Sequence, residues 1–139
     1  MDVFRKLRRG TGRGVRGNAV IEFALILPIF LLVVFGITEF GRAWFTVNVL
    51  ATASREGVRL AVVTAPDVAA VTARVQQVLD AANIDATSIT VTGPNPADPS
   101  RRVTVTVETD FTVLSAHVLG DFAGTIPLRA ETSMRHEAF

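Results

Sequence analysis

Glu22 is the side chain whose chemistry sits least easily with its neighbours. It is followed by sixteen residues without a charge, Phe23 to Thr38, and preceded by Ala19-Val20-Ile21. An acid buried in lipid costs about 2.5–3.5 kcal/mol at the centre of a span and less near its end. The other candidate groups form no reactive constellation. His117 and His136 are the only histidines and lack the spacing of a metal site. Glu108 and Asp110 share one face of an alternating stretch and could mimic a carboxylate pair, but on a polar strand face they read as solvated charge. Gly10-Thr-Gly-Arg-Gly has no strand before it and is no phosphate loop. Cysteine and tyrosine are both absent, which excludes disulfides and thiolate chemistry and removes further nucleophiles. Neither an enzyme, nor a cofactor, nor a metal is expected.

The element that must position Glu22 is an apolar helix. Ala19 to Thr38 is twenty residues, and at 1.5 Å per residue such a stretch covers about 30 Å, the thickness of a bilayer core. A chain of 139 residues could hardly bury it on all sides as a core helix. Its flank is basic: residues 1–17 carry Arg5, Lys6, Arg8, Arg9, Arg13 and Arg16 against Asp2, so this leader is +5 while the remainder is −4. Cations gathered directly before a span favour a cytoplasmic N-terminus and an exported C-terminal part. They do not describe a uniform nucleic-acid surface, and no nucleic-acid partner is expected. A cleaved secretory signal would need a small-x-small site just after the apolar core. The nearest, Ala51-Thr52-Ala53, lies well beyond Ile37 and past charged side chains, so the span is expected to persist.

Glu22 lies about one helical turn from the cytoplasmic boundary. It either reaches the interface and is tolerated there, or it serves a partner. A cut after Gly17 would create an α-amino group at Asn18. That cationic terminus and the Glu22 carboxylate of a neighbouring subunit could neutralise each other in a low-dielectric setting, setting the register between packed helices.

Gly17, then Glu22 and Phe23, then an apolar stretch, resembles the cleavage site of type IV-like prepilins. Three blocks extend the likeness: Gly-Asn-Ala-Val-Ile-Glu-Phe-Ala-Leu-Ile-Leu-Pro at 17–28, Phe-Gly-Ile-Thr-Glu-Phe-Gly-Arg at 35–42, and Ala-Ser-Arg-Glu-Gly-Val-Arg-Leu-Ala at 53–61. From Arg16 to Val63 the chain is similar to the TadE family, minor pilin-like proteins of the tight-adherence (Flp) pilus assembly system. Phe23 stands where major Flp pilins prefer Tyr and where TadE-like proteins have Phe; TadG-type proteins share part of the N-terminal pattern. The resemblance implies cleavage between Gly17 and Asn18 by a prepilin peptidase. It also implies roles in processing and assembly for Glu22 and Phe23. Within the matching blocks it marks Pro28, Gly36, Glu39, Gly41, Arg42, Arg55, Glu56, Gly57 and Arg59 as helix-interface positions. The implied partners are membrane lipid, the peptidase, other pilin-like subunits and the Tad machinery. The implied location is the bacterial inner (cytoplasmic) membrane, with a possible association with the pilus.

Beyond the span the helical pattern continues. Phe40, Trp44, Val47, Ala51, Ser54, Val58 and Ala61 recur at spacings of four and three, placing them on one expected face. Arg42, Arg55 and Arg59 lie off that stripe. One helix over 18–63 would be on the order of 65–70 Å long. Trp44 and Phe45 fall near the expected outer boundary of the bilayer, where aromatics are favoured. Pro28 cannot donate to the Ala24 carbonyl and should bend the helix locally, which membrane helices tolerate. Gly57 either permits close backbone contact or is tolerated at about 1 kcal/mol.

Pro66-Asp67 opens a second expected helix with Val68, Val71, Val75, Val78, Leu79 and Ala82 on its apolar face, and Asn83 and Asp85 stop it. Alternation of period two then runs through Ile89–Thr92, through Val103–Val113 and through Ile126–Arg135, with a loop over Gly93–Ser100. Such runs make a small antiparallel sheet with one buried face. The expected fold is α+β and pilin-like. It has a leader at 1–17, a long helix at 18–63 with its transmembrane part at about 19–38, and an exported α+β domain at 64–139. A domain of that size without disulfides is marginal, so neighbours could supply part of its stability. The competing reading is an unprocessed, single-pass anchored binding module of the cell envelope.

Overall fold

The computed structural model describes residues 14–63, 67–94, 101–114 and 124–136. The expected leader up to residue 13, Pro66, most of the expected 93–100 loop and His117 lie outside the described residues. Five elements follow in order: α1 (Gly14–Val63), α2 (Val68–Ala81), β1 (Ser88–Thr92), β2 (Arg102–Thr112) and β3 (Thr125–Arg135). This is the α+β, pilin-like arrangement expected. The chain divides into two compact units, Met1–Thr38 and Glu39–Phe139.

The first unit is the apolar stretch of α1. Most of its large side chains, among them Val20, Phe23, Leu32 and Ile37, stand exposed, with Leu27 and Phe35 half-buried. The backbone is satisfied internally and the apolar surface faces outward, which is how a helix meets lipid. The helix continues through Pro28. Thr38 returns its hydroxyl to the Val34 carbonyl at 2.9 Å, so its polar group needs no outside partner.

The second unit packs the remainder of α1 and α2 against one face of the sheet. Its core is Leu50, Ala53, Val58 and Ala61 of α1, Val71, Val75 and Leu79 of α2, and Val103, Val105 and Val107 of β2. Each fully buried Val or Leu contributes about 1.5–3 kcal/mol relative to exposure. The face of α1 that packs differs from the expected stripe. Ser54, Val58 and Ala61 are buried and Val47 and Ala51 half-buried, but Leu50, Ala53 and Gly57 are buried too. Phe40 and Trp44 remain 70% and 63% exposed. A stripe of strict four-three spacing drifts about 20° per heptad around a straight helix. That drift is not the main reason: Phe40 and Val58 are eighteen residues, five whole turns, apart and share one side of a straight helix, so Phe40 is exposed and Val58 buried because the second unit packs only against the later part of that side.

α2 begins at an Asp67 cap, whose carboxylate accepts from the Ala69 N–H at 3.0 Å. It ends where Asn83 takes a left-handed φ of 54°, allowing the Ile84 N–H to close on the Leu79 carbonyl at 3.1 Å. This is the stop read at Asn83.

The sheet order, which periodicity leaves open, is β1-β2-β3, antiparallel throughout. Val103, Val105, Val107, Thr109 and Phe111 face the helices and pair with Met134, Thr132, Ala130, Leu128 and Ile126. The opposite face is polar, with Glu108 beside Arg129 at 3.6 Å and Arg129 also joined to Glu131. The His136 N–H donates to the Arg101 carbonyl, so the even-numbered residues of β3 bond to β2. Pro127 therefore sits where its missing N–H would face the edge of the sheet, the position a strand proline requires.

Candidate assembly face

Gly17, Asn18, Glu22 and Phe23 all lie on α1 in the first unit, and all are exposed. Asn18 and Glu22 are four residues apart and thus neighbours on one helix face. The helix begins at Gly14, so the Gly17–Asn18 peptide bond lies about one turn in from its start. Pro28 is exposed on the same helix, and a side chain added at Gly36 would meet open space.

The remaining expected interface positions fall in the second unit. There the structure separates those turned inward from those turned outward. Glu39 and Arg42 form an ion pair at 2.8 Å one turn apart. The Arg42 guanidinium also lies over the Phe111 ring, 5.0 Å from its centroid, a cation–π contact that ties α1 to the end of β2. Gly41 faces open space. Arg55 and Arg59 are exposed. Glu56 reaches α2, where its carboxylate accepts from Arg74 at 3.3 Å.

At Gly57 α1 lies close against both α2 and the sheet. A Cβ there would stand 2.6 Å from Val75 Cγ2 and 3.3 Å from Val105 Cγ1. The residue is turned into this unit's own core. Ser54, one turn earlier, is fully buried, and its Oγ lies 2.7 Å from Thr132 Oγ1 and 3.1 Å from the Ala51 carbonyl. Ala53, Ser54 and Gly57 together form a strip of small residues on which the sheet and α2 close.

Nothing local in the sequence pairs Phe111, Arg74 or Thr132 with α1: Phe111 and Thr132 fall within alternating stretches, and Arg74 lies off the apolar face of α2.

Among the described residues no reactive cluster emerges. Among the described residues no group of three or more His, Cys, Asp and Glu side chains is placed to hold a metal. Glu108 is engaged by Ser88 Oγ at 3.1 Å and by Arg129, and Asp110 is exposed. The open cleft of about 300 Å³ near Arg42, Asn83, Asp85 and Asp110 contains no nucleophile paired with a base.

An N-terminal helix long and apolar enough to cross a membrane, continuing into a small unit of helix and antiparallel sheet, defines a pilin-like membrane-anchored class. Residues 17–59 match the model of the TadE family, TadE-like protein. The matched segment lies wholly within α1 and starts at Gly17. No curated protein and no solved structure matches the chain. The TadE-like match supports association with the Tad pilus and a structural rather than an enzymatic role.

Proposed function

We propose that the chain is a TadE-like minor pilin or pseudopilin that assists assembly of a Tad (Flp) pilus. One observation carries the reading: the TadE-like segment 17–59 coincides with an α1 that joins Gly17, Glu22 and Phe23 to an outward-facing apolar stretch. In this reading 1–17 is a leader, 18–63 a long helix spanning the inner membrane at about 19–38, and 64–139 an exported domain. The basic leader holds the N-terminus in the cytoplasm. A prepilin peptidase cuts between Gly17 and Asn18.

After the cut, the Asn18 amine and the Glu22 carboxylate of a neighbouring subunit neutralise each other as α1 helices pack. The partners are then lipid, the peptidase, other pilin-like subunits and the assembly machinery, and the function is adhesion and surface colonisation. An N-terminal mass measurement on protein from cells with the cognate peptidase tests the processing step. A mature chain starting at Asn18 is expected. A chain starting at Met1 or Asp2 would favour the unprocessed envelope module instead.

A further inference from the structure

Among the described residues, five of the eight exposed large apolar side chains of the second unit, including its three exposed aromatics, lie toward one of its ends, while Val63, Val68 and Met134 lie elsewhere. On α1, Phe40 is 70%, Trp44 63% and Phe45 55% exposed. Phe40 and Trp44 stack with ring centroids 6.2 Å apart. Two further apolar side chains come from the sheet: Leu114, just past the end of β2, is 59% exposed, and Ile126, near the start of β3, is 51% exposed. The Arg42–Phe111 contact places these residues at the same level as the aromatics, because Phe111 pairs directly with Ile126. This is the end at which α1 enters the unit at Glu39.

The apolar groups face different directions. Arg42 points to the sheet, while Phe40 and Trp44 lie about 160° away from it around the helix, at 100° per residue. A protein partner docking on one side would cover the aromatics or the sheet end, not both. A lipid surface meets all of them at once. The spacing also fits: Phe40 to Phe45 covers about 7.5 Å of helix axis, against a headgroup region of about 5–8 Å on each side of the bilayer. Trp and Phe are the side chains expected at that depth for Trp and just below it for Phe. Glu39 and Arg42 at this level pair with each other at 2.8 Å, which lowers the cost of drawing these two toward lipid, and the exposed Asp110 lies on the opposite, polar face of the strand from Phe111.

We infer that this end of the second unit is a membrane-seating surface, in which Phe40, Trp44 and Phe45 of α1 and Leu114 and Ile126 of the sheet enter the headgroup region of a phospholipid bilayer together. The inference rests on the membrane-anchor reading above. It adds a second contact between the protein and lipid, made by the folded unit itself.

Trp44 is the only tryptophan and tyrosine is absent, so the native chain reports its own depth by fluorescence. The full chain is reconstituted in phosphatidylcholine vesicles, with brominated phosphatidylcholine as the lipid-side quencher and iodide as the aqueous one. Leu114→Trp and Ile126→Trp, each in a Trp44→Phe background, probe the sheet end. Phe30→Trp in the same background probes the span, and Met134→Trp probes the far end of β3. Loss of emission to brominated lipid is expected for Trp44, Leu114→Trp, Ile126→Trp and Phe30→Trp, and loss to iodide for Met134→Trp. Should Leu114→Trp and Ile126→Trp respond to iodide while Phe30→Trp responds to lipid, the seating surface is wrong and the anchor stands. Iodide quenching of Phe30→Trp would overturn the anchor and the inference with it. Insensitivity of the sheet-end probes to both quenchers would assign the surface to a protein partner and likewise overturn the inference.

Discussion

Ser54 Oγ lies 2.7 Å from Thr132 Oγ1, joining α1 to β3 across 78 residues of sequence at a point where Ser54 is fully buried. A second tie lies at the other end of the sheet, where Arg42 covers Phe111, the partner of Ile126. From Arg42 to Ser54 the helix rises about 18 Å, and from Ile126 to Thr132 the strand rises about 20 Å. The two lengths agree, so α1 runs alongside β3 and in the same direction. The small side chains Ala53, Ser54 and Gly57 let it lie close to the sheet.

Replacing Ser54 with Ala should lower the stability of the second unit by about 1 kcal/mol, since a part-buried hydroxyl loses its partner. Thr132→Val alone should cost a similar amount, and the double variant less than the sum. A coupling of about 0.5–1 kcal/mol in the double-mutant cycle, read from chemical denaturation in detergent, is the expected result. Strict additivity would show that the two hydroxyls do not interact.

Gly57→Ala sets two effects against each other. Helix propensity favours Ala by about 1 kcal/mol, while overpacking against stiff, buried valines costs about 1–3 kcal/mol. The Cβ would stand only 2.6 Å from Val75 Cγ2, so the variant should be destabilised by up to about 2 kcal/mol. Gly57→Leu should abolish cooperative unfolding. Adding Val75→Ala to Gly57→Ala should recover part of the loss, a comparison that separates crowding from backbone effects.

The Glu56–Arg74 pair joins α1 to α2, but both side chains are substantially exposed, at 38% and 43%. Arg74→Ala should therefore change stability by less than about 1 kcal/mol, and raised salt should erase the difference. A larger, salt-independent loss in thermal unfolding would mean that the Arg74 stem packs rather than pairs.

Glu22→Ala should leave membrane insertion intact, because it removes an acid from an apolar helix. It should nevertheless impair pilus formation, scored by filament counts beside a membrane-fraction immunoblot. Normal filament numbers from a correctly inserted variant would count against a partner for the carboxylate. Glu22→Gln separates charge from hydrogen bonding: if neutralising a cationic terminus is the role, Gln should fail as Ala does.

Most of the architecture was legible because it is written in short-range patterns. Twenty consecutive residues from Ala19 announce a helix for lipid by length alone. Valines alternating with threonines from Val103 announce a one-sided strand, and Asp67 and Asn83 punctuate α2 through their own hydrogen bonding and backbone preference. The motif at Gly17, Glu22 and Phe23 was equally legible, since the segment that matches the TadE-like family is continuous in sequence.

Contacts between distant segments were decided only in three dimensions. Four-three spacing suggested a face through Phe40 and Trp44, but the core is built on α1 only from Leu50 onward, so the aromatics lie outside it while Val58, on the same side as Phe40, is buried. Period-two alternation assigned each strand an inner face but carried no information about neighbours, so the β1-β2-β3 order and the pairing of Ser54 with Thr132 appeared only with the fold. The sequence by itself determined an apolar helix preceded by a basic segment, because both depend on residues adjacent in the chain. Only the tertiary structure decided which side of that helix is covered, because that depends on the summed packing of side chains tens of residues apart.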